Sequence, residues 1–387
     1  MNKVKSICQL INVVIKSKRN WSKIEEKKTV IYHDASIDLF GPLVGDYVVV
    51  ANNSSALSMR ALVSAMFNRK FYSDPWMQYV FAYIGRINPR FVFTVIDNDP
   101  TFMRLSKQIP SATTIMVQNG MRYDICGVLD SVNLRNDEVK VDFTFTFGDA
   151  YAEFIQKIVG GVVTSVGSFR SNEVPVVKSL GQSNIVFVSQ VGGFGESVHL
   201  PLENGKSITW EQHNLAETDL LPLIKVWCDK NGHRLQILLR SREKDEEDFF
   251  VNLVPGKDWE FIKRPLSESC YTVVDRAGIV CGISSTLLLE SLSRGNKTAI
   301  FGTREEYAPN YPSVFWPAQF EKTGYFWTNK ANYNEIERIF TYLLTVTDDN
   351  WQCEVADHMS DILLYCPGNL LLYEKIEQIV TGRPSQS

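Results

Sequence analysis

Several short polar clusters in this chain have the residue types and spacing to hold an anionic, hydroxyl-rich ligand. Ser284, Ser285 and Thr286 follow an apolar run at 278–282 and precede a helical pattern at 287–293, which Gly295 closes. Consecutive hydroxyls between a strand and a helix aim O–H and unpaired N–H donors at one spot, where the helix dipole favours negative charge. Glu290 lies about one turn beyond Thr286 and is expected to face the same ligand. Arg240, Ser241 and Arg242 end the run LQILL. An arginine directly after buried strand residues needs a partner, and a phosphate would serve. Arg242 has a second reading, as the partner of the acidic residues that follow. SQVGGFGE at 189–196 brings Gly192 and Gly193, which would let backbone approach a phosphate or a sugar, or form a plain flexible loop.

Two further clusters suit the reacting end of such a ligand. IDND at 96–99 places Asp97 and Asn98 after an apolar run. A carboxylate there can act as base or nucleophile, or cap the next helix. VQNGMR at 117–122 offers Gln118 and Asn119 as donors and acceptors, a turn at Gly120, and Arg122 to grip a carboxylate or phosphate bidentately. His33 beside Asp34 also ends a strand signal. The chain has no GxSxG elbow, Walker lysine motif, HExxH or DxD motif. The five histidines stand too far apart in sequence for a local metal site.

The elements that must position these residues alternate in type. Apolar runs at 29–35, 47–52, 91–98, 113–120 and 142–148 predict buried strands, with helical patterns between them such as SALSMRALVSAMF and PWMQYVFAYIGRI. After an aperiodic stretch at 163–184 the alternation resumes. A strand is expected at 185–190, a long helix closing at Gly232, strands in LQILLRSRE and WEFIK, the hydroxyl-bearing turn, and a helical tail. Buried strands interleaved with helices predict an α/β fold of parallel sheets covered on both faces. The expected organisation is two Rossmann-like domains, 1–175 on the acceptor side and 176–345 on the donor side, followed by C-terminal helices at 346–387 that pack back on the first domain. Ligands of parallel sheets bind at the carboxyl ends of the strands, which puts the expected site in a cleft between the domains.

Composition sets the outer limits. The 387 residues can form two cores, and 44% apolar with 22% charged residues is the balance of a globular protein. A net charge of −4 argues against nucleic acid as a partner. The seven cysteines are scattered without a CxxC pair, which predicts buried thiols in a reducing, cytoplasmic setting. No apolar run reaches the length of a membrane span. The first 28 residues carry eight Lys and Arg against two acids, and such an arm can rest on the anionic inner face of a bacterial inner membrane or form a solvated first helix.

The set IDNDPTF, QNGMR, FTFGDAY, VGSFRSNEVP, AETDLLPLI, LLRSRE and SSTLLLESLSRG resembles the bacterial surface-carbohydrate biosynthesis proteins of O-antigen and capsule gene clusters. The resemblance spans nearly the whole chain. More distantly the chain is similar to GT-B glycosyltransferases that use CMP-activated ulosonic acids, of the Kdo or sialic type. Those enzymes carry an acidic-acidic-glycine motif, a His-Pro motif and a Ser-Ser/Thr motif. Here Gln118-Asn119-Gly120, Arg240-Ser241 and Ser284-Ser285-Thr286 stand in those places. The first two depart from the pattern. Amides cannot replace a carboxylate base, so Asp97 is preferred, with Asp99, Asp149 and Glu153 as alternatives. Arg240 is expected to take over the nucleotide contact.

The resemblance implies a metal-independent GT-B glycosyltransferase without a resident cofactor. Its co-substrate would be a nucleotide-sugar, with a lean to CMP, and its acceptor a glycan or lipid-linked glycan. The expected site comprises Asp97, Gln118 and Asn119 for catalysis. Arg240, Ser241, Arg242, Ser284, Ser285, Thr286, Glu290, Gly192 and Gly193 would bind the donor, and Asn98 and Arg122 the acceptor. The competing expectations are a catalytically inactive carbohydrate- or partner-binding protein of the same fold, and a nucleotide-sugar epimerase.

Overall fold

The computed structural model describes residues 17–50, 56–121, 139–178, 183–192, 199–201, 207–241, 244–263, 269–307 and 323–382. They fall into two compact units. One draws on Met1–Gly120, Val128–Val166 and Leu370–Ser387, the other on Met121–Gly127 and Gly167–Asn369.

In chain order the strands are β1 (Lys18–Asn20), β2 (Thr29–Tyr32), β3 (Tyr47–Val50), β4 (Ala56–Ser58), β5 (Phe91–Thr94), β6 (Thr113–Val117), β7 (Phe143–Thr146) and β8 (Val162–Ser165). The second unit continues with β9 (Asn184–Val188), β10 (His199–Pro201), β11 (Ser207–Thr209), β12 (Arg234–Leu238), β13 (Trp259–Ile262), β14 (Ile279–Gly282), β15 (Thr298–Phe301) and β16 (Trp327–Thr328).

The first unit holds a six-stranded sheet in the order β3-β2-β5-β6-β7-β8, parallel throughout. Its central strands are buried on both faces: Val30, Ile31, Val92, Phe93, Ile115 and Val117 are fully enclosed. Continuous apolar runs, rather than alternating ones, are what a sheet covered by helices on both sides requires. Two sequence expectations change here. Residues 163–165, expected in an aperiodic connection, form most of β8; no residue of the strand is fully buried, so the run carries no strong apolar signal. SALSMRALVSAMF is a short strand, β4, before a helix, Met59–Met66; Ser58 breaks the helical pattern by capping the helix through its side chain. The last described helix, Leu370–Thr381, belongs to this unit and buries Leu372 and Ile376.

The second unit has its own six-stranded parallel sheet, ordered β13-β12-β9-β14-β15-β16. Numbered within the sheet this is 3-2-1-4-5-6, the order of a dinucleotide-binding Rossmann sheet. The direction of winding reverses between β9 and β14, and the crevice outside their carboxyl ends is where such sheets bind ligands. The long helix Trp210–Asn231 starts at a Thr209–Gln212 capping box and stops at Gly232, whose φ of 71° suits the left-handed cap. Helices Tyr333–Thr345 and Asp348–Met359 also belong to this unit.

A buried clamp holds the start of this unit to its sheet. The Arg294 guanidinium donates to both oxygens of Asp275 and to the carbonyls of Ser171, Val174 and Pro175. Those bonds, with the Val177 and Asn296 donors, hold the Asp275 carboxyl below the usual range against its own burial.

Candidate functional site

At the winding reversal of the second sheet, three polar side chains converge. The loop after β9 supplies Gln190, the turn after β14 supplies Ser284, and the 3-10 turn Thr303–Glu306 after β15 supplies Arg304. The Gln190 carbonyl Oε1 accepts from the Ser284 N–H at 3.0 Å, from Ser284 Oγ at 2.6 Å and from Arg304 Nη1 at 2.8 Å. Arg304 also donates to Ser284 Oγ. On its other side it donates to the His213 carbonyl at 3.2 Å and to Glu217 Oε1 at 2.5 Å.

The Glu217–Arg304 pair is almost sealed, at 1% and 2% side-chain exposure. Burial pushes the Glu217 carboxyl up, with the Arg304 charge opposing it. His213 is pushed down to about 3, first by burial and then by Arg304, so its ring is neutral. The pair therefore fixes Arg304 as a post against which the carboxyl ends of β9 and β14 are tied.

The turn that follows is bonded locally through its hydroxyl oxygens, as acceptors. Ser285 Oγ accepts from the Leu287 N–H and caps the helix Thr286–Ser293. Thr286 Oγ1 accepts from the Met121 N–H at 3.1 Å. Glu290 does not share this site. It is buried on the inner side of the helix, accepts from Ser168 Oγ and bonds Tyr271. Burial raises its carboxyl, against those two hydrogen bonds. One helical turn after Thr286 pointed to the right face, but the same spacing also reaches the packed side of a short helix.

The loop after β12 divides its residues. Ser241 is spent on Glu246, to which it donates from both N–H and Oγ at 2.8 Å; the Arg240 N–H and Ser189 Oγ bond the same carboxylate. These donors are thus already used, which removes Ser241 from the expected ligand contacts. The Arg240 side chain is exposed, lies 5.7 Å from the Trp210 ring centre and reaches the Gln190 carbonyl at 3.4 Å. A Cβ on Gly192 would stand 2.5 Å from Arg240 Nη1, so the glycine makes room for the guanidinium. Arg242 and Gly193 lie outside the described residues, as does Arg122.

In the first unit the winding reverses between β2 and β5, and the carboxyl ends there are tied by hydroxyls. Ser36 Oγ donates to the Tyr32 carbonyl and accepts from the Val95 N–H, both at 3.0 Å. His33 holds a φ of 76°, a backbone conformation that costs a non-glycine residue about 1–3 kcal/mol. Its N–H bonds the Val50 carbonyl at 2.9 Å and its Nδ1 accepts from the Ala35 N–H at 3.2 Å.

Asp97 sits on the loop after β5, at 2% exposure, and Asn98 beside it is exposed. The cap of the next helix is Asp99, which accepts from the Thr101 N–H and from the Tyr32 hydroxyl, both at 2.7 Å. Capping therefore does not account for Asp97. Gln118 is bonded to backbone: it donates to the Gly120 carbonyl and accepts from the Phe147 N–H. These bonds shape its turn. Asn119 is half-buried on the same turn.

Arg304, Gln190, Glu217 and Glu246 were not among the expected site residues. Arg304 stands three residues past β15, so the strand-end argument that selected Arg240 applied to it equally. Glu217 and Glu246 gave no such signal, because an acid within a helical pattern reads as solvated surface. Among the described residues, no group of three His, Cys, Asp or Glu side chains could hold a metal ion. Among them, too, no helix is long and apolar enough to cross a membrane.

The family model described as "putative O-antigen biosynthesis protein" matches residues 115–379. The chain belongs to that family. No curated protein matches this sequence. Similar solved structures include a "putative UDP-N-acetylglucosamine 2-epimerase" from Listeria monocytogenes, at 10% identity and TM-score 0.55 over 92% of this chain and 98% of that one. The S. aureus MnaA–UDP structure gives 12% identity and TM-score 0.55 over 93% and 100%. The wall teichoic acid polymerase TagF with CDPG gives 8% identity and TM-score 0.51 over 99% and 98%. At these identities the likeness shows the fold, the α/β architecture of two parallel-sheet units that GT-B glycosyltransferases and epimerases share.

Proposed function

We propose that this member of the O-antigen biosynthesis family is a glycosyltransferase that takes its sugar from a nucleotide-linked donor. One observation carries the reading: the Gln190–Ser284–Arg304 knot at the winding reversal of a 3-2-1-4-5-6 sheet. It holds the N-terminus of the helix Thr286–Ser293 at the crevice such sheets use for nucleotides. Arg240, the exposed guanidinium beside Gly192, is positioned to meet the donor phosphate. On the acceptor side the reading assigns Asp97 to take the proton of the attacking hydroxyl. The hydroxyl oxygen then bonds the anomeric carbon, and the nucleotide phosphate leaves with the electrons of the broken C–O bond.

CMP is the favoured nucleotide on the Ser-Ser-Thr motif, and the acceptor is a glycan or lipid-linked glycan of the cell surface, used on the cytoplasmic side. The step needs no metal, so transfer should persist in a chelator. Calorimetric titration with CMP, CDP and UDP tests the site. Ser285→Ala with Thr286→Ala should weaken the best nucleotide by about 1–3 kcal/mol, through lost hydrogen bonds to a charged group. Unchanged affinity in the folded double variant would refute the assignment. The fold shared with a protein described as a "putative" epimerase supports a second reading. An epimerase would convert its nucleotide-sugar with no acceptor present, whereas a transferase releases free nucleotide only when it has an acceptor or water to receive the sugar.

A further inference from the structure

The first unit carries a basic groove that the proposed reaction does not use. It has a volume of about 470 Å³ and lies among Lys70, Asp74, Gln78, Phe81, Arg104 and Lys107. Three cations face one acid there. The acid is committed: Asp74 caps the helix Pro75–Ile87 by accepting from the Met77 N–H at 3.1 Å. Arg104 lies with Nη1 3.4 Å from Met77 Sδ. Gln78 is 3% exposed and lines the groove.

The chain leading into Lys70 forms an apolar lip. Val63, Met66 and Phe67 follow the three- and four-residue spacing of one helix face, and all three are exposed, Phe67 at 86%. Tyr72 is exposed on the turn that follows. That turn is held by its own hydrogen bonds: Asn68 N–H to the Ala65 carbonyl, Phe71 N–H to the Asn68 carbonyl, and Lys70 N–H to Asn68 Oδ1, all at 2.9 Å. Large apolar side chains kept in water by a fixed backbone mark an interaction surface. Lys70 belongs to the same turn, so the apolar lip and the cationic wall are one structural piece.

We infer that this groove seats the phosphate of an anionic phospholipid headgroup, with Phe67 and its neighbours dipping into the membrane interface. Lysine and arginine next to exposed aromatic and aliphatic side chains is the composition of an interfacial anchor. Charge complementarity selects an anion, and the apolar lip selects a source that brings hydrocarbon with it. The assignment is independent of the basic N-terminal arm, whose first 16 residues lie outside the described ones.

The test is flotation of the full chain with vesicles of phosphatidylcholine alone and of phosphatidylcholine mixed with phosphatidylglycerol. Binding should appear only with phosphatidylglycerol. Lys70→Gln with Lys107→Gln, both exposed positions, should lower the partition coefficient by about 25-fold, near fivefold per cation. Phe67→Ser should also lower it, with circular dichroism unchanged in both variants. Glycerol phosphate in solution forms the second arm. Equal binding to both vesicles, or undiminished binding by the double lysine variant, would overturn the inference. So would tight binding of free glycerol phosphate that ignores Phe67→Ser, which would make the groove a site for a soluble phosphate.

Discussion

Arg304→Met should destabilise the second unit by about 3–5 kcal/mol at neutral pH, the usual cost of removing one partner from a buried ion pair. The figure can be checked against the surroundings. Glu217 is left in a nearly sealed site, and its carboxyl is already raised above 4.5 by burial while Arg304 opposes the shift. Without Arg304 the carboxyl escapes the penalty by taking a proton. At pH 7 that costs about 3.7 kcal/mol for an ordinary carboxyl, at about 1.4 kcal/mol per pH unit. The lost bonds to Gln190 and Ser284 add about 1 kcal/mol.

The pH dependence has a definite sign. A carboxyl whose folded pKa is raised contributes stability that is complete below its unfolded value and fades as pH rises through the folded value. The variant should therefore lose stability with rising pH more steeply than the parent. The gap between them should narrow by about 2–3 kcal/mol from pH 7 to pH 5. Urea unfolding at the two pH values, followed by circular dichroism, measures this. Adding Glu217→Gln to Arg304→Met should recover much of the loss, because no charge is then buried. Parallel pH curves, or a neutral-pH loss below about 1 kcal/mol, would give the pair the worth of a surface contact and refute the reasoning.

Further outcomes are expected at three carboxylates. Glu290→Ala should cost about 2–3 kcal/mol by leaving the Ser168 and Tyr271 hydroxyls unpaired in the interior, with nucleotide affinity unchanged; weaker nucleotide binding at full stability would return Glu290 to the site. Asp97→Asn should lower transfer about 10²–10⁴-fold with the fold intact, the usual span for a lost general base. Near-normal transfer by the Asp97→Asn variant would move the base elsewhere. Asp99→Ala, by contrast, should cost about 1 kcal/mol of stability as a lost helix cap and spare turnover.

The sheets were legible because their strands are buried on both faces. TVIY, FVFT, TTIMV and TAIF are uninterrupted apolar or β-branched runs, and each became a strand. β8 escaped notice because it is half-exposed, and β16 because it has two residues. The strand-end argument picked out Ser284, which joins the Gln190–Arg304 knot, and Arg240, which lies exposed beside Gly192. It did not find the Glu217–Arg304 pair, whose members stand 87 residues apart in sequence. Nor did it anticipate that Ser241 and Gln118 would be bonded to neighbouring backbone or carboxylate groups. A sequence records which donors exist and leaves unsaid which of them the fold has already spent.

The placement of Leu370–Thr381 in the first unit bears on how the chain is made. Leu372 and Ile376 are buried on a helix that clusters with that unit, yet the ribosome delivers them only after the whole of 167–369. At usual elongation rates the wait is roughly 10–40 s. The half of the protein that emerges first is therefore the half that is completed last. During that interval the apolar surface awaiting Leu372 and Ile376 is open to chaperones, and to other nascent chains, while the second unit has all of its own residues in hand. A nonsense mutation near Asn369 would strike the N-terminal half of the molecule.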